Sequence, residues 1–272
     1  MSQPIGMDAS ELKSCCANLY EHPLVRQLIG DSFHPGGTEL TERLGLMLGL
    51  HAGSKVLDVA SGRGTSAIHL AKVFGCRVTG VDLSSENVQA SAQEAGVAGV
   101  ADLTAFVQGD AESLEFPENS FDAVICECAL CTFPNKPQVL SGFYKVLVPS
   151  GQVGITDLTR RGELGEDLQG LLSWVACIAD ALPVEKYLQL LSAAGFSAEN
   201  GYTAVDETLV EMASTIQKNL VGAKILQGLG KLNLPVSVNL DEAIRVAKAA
   251  REAIGAGQLG YGIFIGAKAV RN

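Results

Sequence analysis

From residue 51 onward, apolar runs of strand length alternate with longer amphipathic stretches. That alternation is the pattern of a parallel sheet whose strands are joined by helical crossovers, and it leaves few other fold classes open. It places strands at Lys55–Val59, Arg77–Asp82, Leu103–Gly109, Phe121–Cys126 and Val153–Asp157. Helices fall at Thr65–Phe74, Ser85–Ala95 and Lys136–Leu147, and Pro149-Ser150-Gly151 reads as a turn into the fifth strand. Upstream, residues 9–50 carry apolar residues at helical spacing, broken at His34-Pro35-Gly36-Gly37, with Thr38 placed to cap a helix bearing Leu40, Leu44, Met47 and Leu48. Downstream, Trp174–Ala194 reads as one or two helices ending at Gly195, Ser197–Val205 as strand and Gly260–Ala269 as a final strand. Between these strands, Glu207–Ala256 is helical in pattern, interrupted at Gly228, Gly230 and Pro235. The expected organisation is an N-terminal helical cap (1–50), a core (51–206), a helical insertion or lid (207–258) and a final core strand (259–272).

Charge narrows the partners. A net charge of -10, with no basic cluster longer than Arg160-Arg161, argues against nucleic acid, whose binders neutralise phosphates with Lys and Arg. An acidic surface does not favour anionic membranes, and no stretch approaches the length of a membrane span. Residues 1–19 lack the charged start and apolar run of a secretory signal. The seven cysteines, odd in number and clustered, suit reduced thiols in a cytoplasmic protein better than disulfides.

The turn after the first strand identifies a ligand class. In Val56-Leu57-Asp58-Val59-Ala60-Ser61-Gly62-Arg63-Gly64, an acid ends the strand and two glycines lead into a helix. Glycines at the carboxyl end of a parallel strand let the backbone approach a ligand, and the helix N-terminus offers amides to polar groups. Asp82 ends the second strand, where a carboxylate can accept hydrogen bonds from ribose hydroxyls. A glycine pair alone also permits a dinucleotide. Ala67 stands three residues after Gly64, where a dinucleotide fingerprint has its third glycine. Gln108-Gly109-Asp110-Ala111-Glu112 follows the third strand, where an acid can meet an adenine amino group.

Residues 53–157 resemble the core of the class I methyltransferases that use S-adenosylmethionine (SAM). The resemblance covers the glycine loop, Asp82, Asp110 and the Pro-Ser-Gly turn in order. It implies a Rossmann-like α/β fold with a seven-stranded sheet whose last strand is antiparallel. It also implies that Asp58, Gly62 and Gly64 hold the methionine part of SAM, Asp82 the ribose, and Asp110 with Ala111 the adenine. Ala60, Thr65, Leu83 and Glu127 complete the implied contact set.

Cys126-Glu127-Cys128-Ala129-Leu130-Cys131 ends the fourth strand, at the catalytic edge of such a sheet. Cys76 reads as core, and strand alternation turns Cys126 away from Glu127. Cys177 lies before a helix that ends in a Gly-Phe turn. This order resembles the arsenite methyltransferase family, and the resemblance implies that Cys128 and Cys177 hold trivalent arsenic beside the SAM methyl group. Soft As(III) prefers thiolates, which form more readily where a site lowers their pKa. Its lone pair needs no general base. A third thiolate could be Cys15, Cys16 or Cys131. Two other readings stay open. One is a small organic O, N or C acceptor, with Glu127, His22 or His34 as candidate bases. The other is a thiol-based metal-binding or redox protein using Cys128-Ala129-Leu130-Cys131.

Overall fold

The computed structural model describes residues 8, 11, 13, 34–170, 172–173, 176–198, 200–232 and 239–269. Cys15, Cys16, His22, Trp174 and Pro235 lie outside them. Helix α1 spans Gly37–Met47. It starts two residues earlier than the Thr38 cap implies, because Gly36, left-handed at φ 80°, turns the chain into the helix with no side-chain cap. Leu44 and Leu48 of α1 and its end seat on Gly154, where an added Cβ would lie 2.7 Å from Leu44 Cδ1. Glycine in the sheet thus sets how closely this helix can approach.

The alternating elements follow in the expected order: β1 (Lys55–Val59), α2 (Thr65–Phe74), β2 (Arg77–Asp82), α3 (Ser85–Val97), β3 (Thr104–Gln108), β4 (Phe121–Glu127), α4 (Lys136–Val146) and β5 (Leu147–Arg160). Short 3-10 turns lie at Ala111–Ser113 and Leu130–Thr132. The chain continues through α5 (Val184–Ala193), β6 (Phe196–Ser197), β7 (Tyr202–Ala204), α6 (Asp206–Gly228), α7 (Leu240–Gly255) and β8 (Leu259–Lys268). The sheet order is β3-β2-β1-β4-β5-β8-β6, with β7 also paired to β8. Pairs from β3 through β5 are parallel, and β8 runs antiparallel to β5.

Three local readings change. The Pro149-Ser150-Gly151 turn is absorbed into β5 as a bulge: Leu147 pairs with Phe121 and Gln152 with Ala123, and Ser150 is left-handed. The single strand at Ser197–Val205 splits into β6 and β7, so the sheet has eight strands. The chain crosses β8 so tightly at Gly201 that a Cβ there would lie 2.0 Å from the Ile265 carbonyl oxygen. Of the one or two helices expected over Trp174–Ala194, α5 runs from Val184, with left-handed Cys177 (φ 64°) breaking the path before it and Pro183 at its start.

Each strand sends alternate residues to opposite layers. Val56 and Ile125 pack with Leu44, Leu70 and Ala250 under α1, α2 and α7. Leu57 and Val124 pack with Leu140, Phe143 and Leu191 under α4 and α5. Cys76 and Cys126 are fully buried in these layers, as expected. Among the described residues, no helix is long and apolar enough to cross a membrane.

Phe264 of β8 is the keystone of the second layer, its ring 4.6 Å from Tyr187 and 5.1 Å from Tyr202. Phe264→Ala should cost about 3–5 kcal/mol of stability, read as a lower urea midpoint with an unchanged slope.

Candidate active site

The chain leaves β1 through a run of left-handed residues, Ala60 (φ 59°), Gly62 (φ 53°) and Gly64 (φ 78°). Gly64 caps α2, and a Cβ on it would lie 2.8 Å from both Phe106 and Ser91. Its part is to let the loop lie flat on β2 and β3, and it does not line the cavity above. Asp82 grips this loop. Its Oδ2 accepts from the Gly62 amide at 2.8 Å, and its Oδ1 accepts from the Ser84 amide at 2.9 Å and Asn87 Nδ2 at 3.3 Å.

The cavity lies at the carboxyl edge of β1, β2 and β4. It is lined by Asp58, Ala60, Gly62, Thr65, Asp82 and Leu83, and on its other walls by Asp110, Ala111, Glu127 and Cys128. All the sequence-derived cofactor residues except Gly64 therefore face one space. Asp58 is buried, and burial first, then the charges of Glu127 and Asp82, hold its carboxyl well above the usual range. Glu127 Oε2 accepts from Ser66 Oγ at 2.6 Å and Thr41 Oγ1 at 2.9 Å, with His34 Nε2 at 3.6 Å. Asp58 Oδ2 and Glu127 Oε1 are buried with no hydrogen-bond partner among the described residues. Buried polar atoms are rarely left so, and two carboxylate oxygens facing one cavity demand donors.

Asp110 caps the Ala111–Ser113 turn through the Glu112 amide at 2.9 Å, and Lys13 Nζ reaches its Oδ2 at 2.8 Å. Lys13, Ser66, Thr132 and Phe133 line the cavity without a sequence signal that marked them. His34 is buried beside Glu127 rather than placed in a simple loop.

The thiols gather on the far side of Cys128. Cys128 is left-handed (φ 53°), its amide donates to the Thr156 carbonyl at 2.7 Å, and its side chain meets the Cys177 thiol. Cys177 also donates to the Cys128 carbonyl at 3.0 Å and meets the Cys131 thiol. The Cys131 thiol in turn meets Asp157, which accepts the Cys131 amide at 2.7 Å. Only Cys128 of the three lines the cavity; Cys131 and Cys177 are buried behind it. The site raises these thiols instead of lowering them: the contact with Cys177 pushes Cys128 up, and burial does so for Cys131. Among the described residues, no three Cys, His, Asp or Glu side chains are grouped to hold a metal ion. The Cys177 segment is pinned by a buried Lys136–Asp180 pair and by Arg160 Nε on the Ala181 carbonyl at 2.7 Å.

With this geometry in place, comparison with known proteins gives the family. A methyltransferase-domain model matches residues 57–155. An uncharacterized protein of Haemophilus influenzae is 32% identical over 207 residues, covering 74% of this chain and 78% of its own. Phosphoethanolamine N-methyltransferase 1 of Zea mays is 29% identical over 196 residues, covering 71% of this chain, which spans only 38% of that protein's length. Among solved structures, phosphoethanolamine N-methyltransferase 2 of Haemonchus contortus, in complex with phosphomonomethylethanolamine and S-adenosylhomocysteine, shares the fold at a TM-score of 0.78 and 21% identity. That match covers 98% of this chain and 61% of the other. The chain belongs to the class I SAM-dependent methyltransferases.

The buried carboxyl of Asp157 makes stability depend on pH. Burial raises it from 3.8 to about 6, against the hydrogen bonds from Cys131 and Leu158 and the charge of Lys136. A raised folded-state value means the contribution is full below pH 3.8 and is lost as pH rises through about 6. Urea titrations of wild type and Asp157→Asn across this window should show the wild-type advantage shrinking by up to about 3 kcal/mol toward neutral pH. A constant difference would rule this out.

Proposed function

We propose that this chain transfers a methyl group from SAM to a soft trivalent metalloid, arsenite being the simplest, held at Cys128 and Cys177. The cavity suits the cofactor. The unpartnered oxygens of Asp58 and Glu127 fit the methionine ammonium, a group of three N–H donors and one positive charge. The first-turn amides of α2 suit its carboxylate. Asp82 would take the ribose hydroxyls, with Leu83 beside them, and Asp110 with Ala111 the adenine edge. When bound, SAM supplies an electrophilic sulfonium methyl that a lone pair can attack in line.

The observation that carries the acceptor is the contact of Cys128, on the cavity wall, with Cys177 buried behind it, from segments 49 residues apart. Trivalent arsenic favours sulfur over oxygen. The raised thiols do not oppose its capture, since each As–OH bond exchanged for As–S releases the thiol proton with hydroxide as water. Two protein sulfurs leave one arsenic bond for hydroxide, a small thiol, Cys131, or Cys15 or Cys16. Positioning and water exclusion would then be the residues' main contribution.

A small organic acceptor is the second reading. The names of relatives such as the maize protein favour it, and Glu127 Oε1 stands in the cavity as a base. Cys128 and Cys177 would then be wall.

Labelled SAM, arsenite and a thiol reductant separate the two. Wild type should form methylated arsenic, and Cys128→Ser or Cys177→Ser should lower the rate roughly a hundredfold while SAM still binds. SAM binding with no transfer to arsenite would end the metalloid reading and leave the organic one. By calorimetry, Asp82→Ala should weaken SAM binding about tenfold or more; unchanged affinity would remove Asp82 from the ribose.

A further inference from the structure

We propose that Glu112 is a positioning residue that couples the cofactor's adenine end to the acceptor-side loop, with Lys13 as the bridging cation. This rests on the reading of the cavity as a SAM site. Glu112 divides its carboxylate between two elements. Oε2 accepts from Lys13 Nζ at 2.5 Å, and Oε1 accepts from the Asn135 amide at 2.7 Å. Its carbonyl accepts from Gln138 Nε2 at 2.6 Å. Asn135 is the N-cap residue of α4, so both partners beyond Lys13 belong to the start of that helix.

On one side of this bridge, Lys13 also binds Asp110, the residue assigned to adenine, and lines the cavity. Asp110 and Glu112 are two carboxylates held next to one another, and the ammonium of Lys13 relieves their repulsion where it also narrows the cavity. On the other side, Thr132 and Phe133 line the acceptor wall just before Asn135. Lys136, the next residue, is paired with Asp180 in the segment that carries Cys177. Polar contacts joined by two short chain steps, Asn135 to Lys136 and Asp180 back to Cys177, thus run from the adenine end to the thiols. Glu112 is the step in it that needs two acceptors at once. A carboxylate supplies both, whereas an amide of the same shape supplies one acceptor and one donor, and leaves the Asn135 amide unmet or Lys13 with Asp110 alone.

The test uses the full chain and S-adenosylhomocysteine, the demethylated cofactor, so that no acceptor has to be known. Calorimetry compares wild type, Lys13→Met, Lys13→Arg, Glu112→Gln, the double variant and the remote control Lys224→Met. Lys13→Met and Glu112→Gln should each bind about tenfold more weakly, while Lys13→Arg and the control stay close to wild type. The double variant should bind no worse than about twofold below Glu112→Gln, because both changes break one bridge. In hydrogen exchange at saturating ligand, residues 129–138 should gain protection in wild type and lose that gain in Glu112→Gln. Wild-type affinity in both single variants, fully additive losses, or protection that survives Glu112→Gln would overturn the coupling. Should Glu112→Gln fail to fold, Lys13→Met against Lys13→Arg decides it. If wild type does not bind the ligand at all, the SAM reading itself fails and the coupling falls with it.

Discussion

Two carboxylates buried side by side at the carboxyl edge of the sheet are the constraint around which this structure is organised. Taking charge out of water is costly unless donors or cations replace the water. Asp58 and Glu127 end β1 and β4, neighbouring strands, so the fold itself brings them together. Glu127 draws Thr41 from α1 and Ser66 from the first turn of α2, with His34 alongside. Side chains from α1, the His34–Gly37 turn and the α2 N-terminus thus converge on that one acceptor. Among the described residues one oxygen of each carboxylate is still unmet, and this residual demand is what the proposed ammonium of the cofactor would answer. An apolar pair there would fold more easily and bind less.

The features readable from sequence were those set by local pattern. The strand-helix alternation and the Asp58–Gly64 turn follow from periodicity and glycine placement, and the boundaries of β1, α2 and β2 coincide with their expected residues. What escaped was set by contacts between distant segments. Nothing near Gly201 in the chain shows that the Ile265 carbonyl crosses it, so the split of β6 from β7 was invisible. Lys13 and Asp110 are 97 residues apart, and an isolated lysine in an amphipathic stretch gives no sign of its partner. His34 carried a turn signal but not its buried place beside Glu127.

The thiols show the same division. Spacing placed Cys128 at the catalytic edge, because a strand end is a local fact. The environment of the thiols is not local. A thiol acidified for metalloid capture needs nearby positive charge or solvent, and these sulfurs have Asp157 and one another instead. The pair Lys136–Asp180 keeps its cation for the segment that carries Cys177, and what reaches Asp157 only moderates its rise. The site therefore holds neutral thiols in register, which suits exchange with an oxygen-bound soft centre better than nucleophilic attack by a free thiolate.

Backbone strain supports a role beyond packing. Among the described residues, Ala60, Asn119, Cys128, Ser150 and Cys177 are the non-glycine positions with positive φ, and two of these five are the cysteines that meet. Left-handed backbone costs a residue with a Cβ roughly 1–2 kcal/mol, a cost glycine avoids. Asn119 tolerates it through its short polar side chain, and Ser150 sits in a bulge. At Cys128 and Cys177 a glycine would relieve the backbone strain, at the loss of the sulfurs and of their packing in the core. The cost is borne twice on segments that meet just behind the cavity wall, and strain of this kind gathers at functional sites, which supports the acceptor role proposed for the pair.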